Sequence, residues 1–279
     1  MKNELGLLIK LDRQENIENL LRRVVDLGFK SCQISTYVPS LYTQETADLI
    51  NTYCRKYGLG VSLWWAGWPG THHWNFVGGP ASVGLVPMEY RKERCEIMKQ
   101  ASDFCKLIGV DRIATHAGFI PEDLHDPLYV SLVEDLKAVA AYCKKNGQLF
   151  CFETGQETPV TLLRTIQDIG YDNVGINLDP ANLVMYGKGN AVDSLKVLGK
   201  YLFGVHIKDG CYPTDGKELG VEVPVGQGDV DMPRLLAAIE ELGYDGPLTI
   251  EIELDRRMGE NTPEQAIKET VAYLKQFID

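Results

Sequence analysis

The chain has 279 residues, 44% of them apolar, and a formal net charge of −11 at pH 7. This length and apolar share can bury one large core, and the acidic balance excludes polyanionic partners such as nucleic acid, which need a basic footprint. No run reaches the roughly 18 apolar residues of a membrane helix, and the amino terminus lacks a basic, then apolar, then cleavage pattern, so the chain reads as soluble and cytoplasmic with no membrane partner.

Strand-like and helix-like segments alternate along the whole chain. Strand Leu5–Ile9 precedes helix Asn16–Leu27, Ser31–Ser35 precedes Gln44–Tyr57, Val61–Trp65 precedes Met88–Leu107, and Arg112–His116 precedes Leu128–Asn146. Strand Leu149–Glu153 then precedes helix Val160–Ile169, Val174–Asp179 precedes Ala191–Lys200, Phe203–Ile207 precedes Met232–Leu242, and Leu248–Ile252 precedes Pro263–Phe277. Glycines follow several helices, at Gly28, Gly58, Gly109, Gly147, Gly170 and Gly243, where a left-handed cap ends the last turn. Such β–α alternation with near-apolar strands predicts a parallel sheet covered by helices, closed as a single (β/α)8 barrel over residues 1–279. Two connections are long: Gly67–Val86, rich in Gly, Pro, Trp and His, and Asp209–Val230, which contains PVGQGD. Both follow strand C-termini, the face where barrels build their sites, and read as lids or substrate walls.

In four of the strands one face is bulky and the other carries an ionisable residue behind small ones. Glu153 follows Cys151, Asp179 follows Gly175 and Asn177, His206 follows Gly204, and Glu251 follows Thr249. The two-residue period aims three carboxylates and one imidazole into the barrel, which is a donor set for a divalent metal. Without a cation the four groups would form a buried polar cluster costing several kcal/mol. The seven cysteines are scattered, without C-x-x-C spacing, and read as reduced thiols.

Other polar residues share the same end. His116 closes IATHAG, Lys208 lies two residues beyond His206 and therefore on its face, and Glu157 follows Glu153 in ETGQET. Either a substrate contact or a place in the first turn of the next helix suits Glu157. Trp65 and Trp68, with Trp64 and Trp74, supply aromatic surface for a sugar, although Trp64 and Trp65 must face opposite ways. His72, His73 and His125 fall in loops and read as solvated.

Glu153 in FET, the run NLDPAN with Asp179 and Asn182, HIKDG with His206 and Lys208, PVGQGDVD and GYDGPLTIEIE together resemble the xylose isomerase-like sugar isomerase and epimerase superfamily. The resemblance implies that Glu153, Asp179, His206 and Glu251 hold one divalent metal ion, typically Mn2+, Mg2+, Co2+ or Zn2+. By their place at the same end, His116, Lys208, Trp65, Trp68, Asn182 and Glu157 are the candidates to line a small-molecule sugar site, against a packed core role for His116 and a solvated one for Lys208. In such a site a ketone oxygen and a neighbouring hydroxyl chelate the ion, a carboxylate removes the activated C–H proton, and the ion stabilises the enediolate. Glu153 and Glu251 are the natural acid–base pair for this reaction. Ketohexose epimerases carry an arginine shortly after the metal histidine, where Lys208, Asp209 and Gly210 stand in this chain. No glycine-rich phosphate cradle follows the last two strands, which favours a neutral sugar over a sugar phosphate. A lyase acting on a keto-cyclitol or 3-keto-glycoside uses the same proton abstraction and is the competing expectation. A non-catalytic sugar-binding barrel needs no paired carboxylates, and an apurinic endonuclease needs more histidine than the five present. A homo-oligomer is compatible with the sequence.

Overall fold

The computed structural model describes residues 1–253 and 262–278. Its strands are β1 (Leu5–Lys10), β2 (Ser31–Thr36), β3 (Gly60–Ala66), β4 (Arg112–Thr115), β5 (Leu149–Glu153), β6 (Val174–Leu178), β7 (Leu202–Ile207), β8 (Asp209–Gly210), β9 (Glu222–Val223) and β10 (Leu248–Ile250). The helices are α1 (Ile17–Asp26), α2 (Gln44–Tyr57), α3 (Gly79–Ser82), α4 (Met88–Ile108), α5 (Pro127–Lys145), α6 (Pro159–Ile169), α7 (Pro180–Met185), α8 (Ala191–Leu198), α9 (Met232–Glu241) and α10 (Pro263–Leu274).

Strands β1 to β7 and β10 close into a parallel barrel in the order β1, β10, β7, β6, β5, β4, β3, β2. The expected (β/α)8 architecture is therefore the one observed, with β8 and β9 forming a separate antiparallel ribbon. Alternation along each strand divides the core into two. Phe150, Phe152, Ile176, Leu178, Val205, Ile207, Leu248 and Ile250 are buried with the helical layer, and β5 pairs in register with β6 through Phe152–Ile176 and Glu153–Asn177. The adjacent tryptophans split as their phase requires. Trp64 packs on Phe104 of α4, and Trp65 packs on Tyr37 and His116.

The six helix-ending glycines all adopt left-handed φ, between 63° and 90°. Three details depart from the sequence reading. Strands β4, β6 and β10 stop one residue before His116, Asp179 and Glu251. The run DPAN forms an additional helix, α7, with Asp179 as its N-cap and Pro180 at its first position, a pairing that suits a helix start. Both long loops contain short elements: α3 in the first, the β8–β9 ribbon in the second. Among the described residues no helix is long and apolar enough to cross a membrane, and all seven cysteines are free.

Candidate active site

Glu153 ends β5, Asp179 caps α7 after β6, His206 lies in β7, and Glu251 follows β10. Parallel register staggers them by two residues: Glu153 pairs with Asn177, two before Asp179, and His206 pairs with Thr249, two before Glu251. Thr154 locks two neighbours together, its Oγ1 donating to the Asp179 carbonyl and accepting from the Asp179 amide, both at 2.8 Å. Each of the four contributes an atom to a group lying within 4.8 Å of one another.

Glu153 Oε2, Asp179 Oδ2, His206 Nδ1 and Glu251 Oε2 are all buried without a hydrogen-bond partner. Nδ1 stands 2.9 Å from Glu251 Oε2, 3.7 Å from Asp179 Oδ2 and 3.8 Å from Glu153 Oε2, yet none of these approaches has hydrogen-bond geometry. A buried polar atom left unmatched costs about 1–3 kcal/mol, more if charged. Four such atoms facing one point fit a small hard cation, with three oxygens and one imidazole nitrogen as donors.

The electrostatics are consistent with that fit. Burial pushes the Glu153 carboxyl well above its usual range, opposed by His206 and reinforced by Glu251 and Asp179. Burial raises Glu251 as well, against the pull of Lys208 and His206. For Asp179 burial acts upward, but the Lys208 ammonium and the His206 ring outweigh it and hold the carboxyl low. Burial disfavours charge on His206, yet the Glu251 and Glu153 carboxylates prevail and raise it. Three carboxylates in a dry interior therefore draw in positive charge from whatever is near.

Lys208 is part of that compensation. It is fully buried, with Nζ 2.5 Å from Glu253 Oε2, 3.4 Å from Glu251 Oε2 and 3.7 Å from Asp179 Oδ2. Lys208 is therefore packed inside the barrel and not solvated. Glu222 of β9 accepts the Glu253 amide at 3.1 and 3.2 Å, and burial pushes its carboxyl up to about 7.

His116 packs edge-on between Trp65 and Trp74, at 5.5 and 5.4 Å. Its Nε2 lies 3.5 Å from Glu153 Oε1 and its Nδ1 3.2 Å from the Glu153 carbonyl, while burial lowers the ring's pKa to about 4. Asn182 Nδ2 donates to Glu153 Oε1 at 3.2 Å. Trp68 is fully enclosed, with the Arg94 guanidinium 4.6 Å from its ring, so Trp74 offers the exposed indole at the mouth. Glu157 lies ahead of Thr158, the N-cap of α6, and outside that helix's first turn. It is buried, neither oxygen has a partner, and burial pushes its carboxyl up to about 8. Gln156 and the Tyr186 hydroxyl are likewise buried without partners. His73 and His125 have no part in the cluster, and His72 stacks on Tyr37. An open groove of about 1030 Å3, lined by Tyr37, His72 and α4, adjoins the site without including any of the four converging residues.

Gln33, Asn177, Gln156, Tyr186, Glu222 and Glu253 were not anticipated as site residues. Gln33 was visible in principle, since Ser31, Gln33 and Ser35 give β2 an unusually polar inward face.

Residues 21–277 match the family model described as xylose isomerase-like TIM barrel. The chain belongs to this family. A solved xylose isomerase domain protein from Planctomyces limnophilus is 31% identical, covers 99% of this chain and 96% of its own, and superposes with a TM-score of 0.88. The 3-keto-D-glucoside 4-epimerase YcjR from E. coli is 18% identical, with 99% and 100% coverage and a TM-score of 0.70. An L-ribulose 3-epimerase is also 18% identical, with 99% and 94% coverage and a TM-score of 0.72. At such identity these two show a shared fold alone. An uncharacterised protein of Methanocaldococcus jannaschii is 26% identical over 173 residues, and the match spans 58% of this chain and 57% of that curated relative.

Proposed function

We propose that this family member is a divalent-metal-dependent isomerase or epimerase of a free sugar or keto-sugar. The observation that carries the reading is the convergence of four buried atoms without a hydrogen-bond partner from Glu153, Asp179, His206 and Glu251. These residues would hold one divalent ion, which when bound polarises a substrate carbonyl and makes the adjacent C–H more acidic. Neighbours named as epimerases of ketoses and of 3-keto-glucosides support a carbonyl-bearing sugar as the substrate class.

The remaining chemistry belongs to the side chains. One of Glu153 and Glu251 removes the proton next to the carbonyl, and the other returns a proton to the opposite face, which inverts the carbon. Asn182 orients Glu153 through its amide. Neutral His116, Glu157, Gln156 and Tyr186 hydrogen-bond substrate hydroxyls, and Lys208 compensates the carboxylate left over when three acids meet one dication. Trp65 and Trp74 pack against the sugar's C–H face.

The test is proton NMR in deuterated water with Mn2+-loaded, then metal-exchanged, protein and a panel of ketohexoses, ketopentoses and 3-keto-glucosides. The expected result is one new epimer or isomer carrying deuterium at the inverted or isomerised carbon. No exchange on any carbonyl sugar contradicts the proposal, and exchange coupled to loss of water or an aglycone moves the assignment to a lyase.

A further inference from the structure

The chemistry above makes no use of Gln33, yet three independent features converge on it. Gln33 Oε1, an acceptor, lies 2.8 Å from His206 Nε2, closer than the Asn177 amide nitrogen, a donor at 3.0 Å from the same ring atom, and Gln33 Nε2 donates to Asn177 Oδ1 at 3.4 Å. All three side chains are buried. Second, the parallel pairing slips register between Cys32 and Gln33, and again between Ile176 and Asn177. Such irregularities re-aim side chains and gather next to functional sites. Third, a Cβ on Gly204 would overlap Asn177 Oδ1, so this strand position leaves open the space that Asn177 occupies.

We infer that Gln33, braced by Asn177, is a positioning residue that keeps His206 protonated on Nε2 and thereby presents Nδ1 as the metal-ligating atom. The inference rests on the metal reading of the site. A neutral imidazole carries one N–H, and the acceptor placed opposite one nitrogen decides which lone pair is free. The carboxylates around Nδ1, with Glu251 Oε2 at 2.9 Å, attract the proton to the wrong nitrogen. Gln33 Oε1 is the acceptor that holds it on the far side.

The experiment compares wild type, Gln33→Met and Gln33→Glu. Calorimetric titration with Mn2+ gives affinity, and long-range 15N–1H spectra of the imidazole rings in Zn2+-loaded protein give the tautomer, with His206 assigned from its absence in His206→Gln. Gln33→Met should weaken Mn2+ binding by about 10- to 100-fold and populate the Nδ1–H form. Gln33→Glu, which retains an acceptor, should keep the wild-type affinity and tautomer. Equal Mn2+ affinity in wild type and folded Gln33→Met overturns the inference while leaving the metal reading intact. If Gln33→Met does not fold, wild type and Gln33→Glu decide alone: Nδ1 protonated in wild type, or a Gln33→Glu variant that loses affinity, overturns it. Wild type that binds no Mn2+ at all removes the metal reading as well.

Discussion

The Phe76 amide donates to the Lys217 carbonyl oxygen at 3.0 Å, joining the loop after β3 to the loop after β7 across the barrel mouth. Beneath them Glu153, Asp179, His206 and Glu251 are only 3%, 0%, 0% and 6% exposed. On the lid reading, the loops part to admit a sugar. Hydrogen exchange should therefore find residues 69–78 and 211–223 among the faster-exchanging segments of the free protein, and should find them slowed once a sugar binds. Equal protection with and without a bound sugar contradicts the lid role.

Glu153→Gln and Glu251→Gln each preserve size and one ligating oxygen but remove the base. A positioned general base contributes about 100- to 10,000-fold, so steady-state turnover should fall by at least two decades in both. If the two carboxylates serve opposite faces, one variant should still exchange the substrate proton with solvent deuterium without completing inversion. Wild-type rates in both variants would dismiss the paired-glutamate mechanism.

Asp209 accepts four backbone N–H groups: Gly210 at 2.8 Å, Gly226 at 2.9 Å, and Gly228 and Val230 at 3.1 Å. This explains PVGQGD physically, since a side chain at Gly228 would strike the Asp209 carboxylate. Asp209→Ala leaves donors unmatched at about 1–3 kcal/mol each when they stay buried. Limited proteolysis should cut the variant between residues 211 and 225 well before wild type, with a lower melting temperature. An unchanged cleavage pattern argues against the pin.

Glu157 binds its proton more tightly folded than unfolded, because burial lifts its carboxyl from the ordinary 4.5 to about 8. The stability it contributes is complete below the unfolded value and is lost as pH rises towards 8. Between pH 5 and 8 the metal-free wild type should thus lose more stability than Glu157→Gln, as read by denaturant unfolding at each pH. Parallel pH dependence in the two proteins would show that Glu157 is not held protonated.

The period-two phase of β5, β6, β7 and β10 carried most of the legible information, because burial of a bulky face forces its small partners, and the acid or imidazole behind them, inward. Cys151 before Glu153 and Gly204 before His206 are such small partners, and the structure brings the four ionisable groups together. What stayed hidden depends on side-chain reach. Ser31, Gln33 and Ser35 mark one face of β2 as polar, but the hydrophobic pattern does not say that Gln33 reaches His206. Lys208 was placed on the correct face, but its burial follows from Glu253 and Asp179, which arrive from β10 and β6. The short helix α7 was missed because its six residues are buried throughout and show no amphipathic period.

The central claim is that the four converging residues hold a divalent ion, and elemental analysis tests it most directly. Protein purified without chelator, beside Asp179→Ala and His206→Ala prepared in the same way, should contain about one divalent ion per chain in wild type and far less in the variants. Adding Mn2+ to metal-depleted wild type should raise its melting temperature. Wild type with no bound ion and a melting temperature indifferent to Mn2+ would contradict the account.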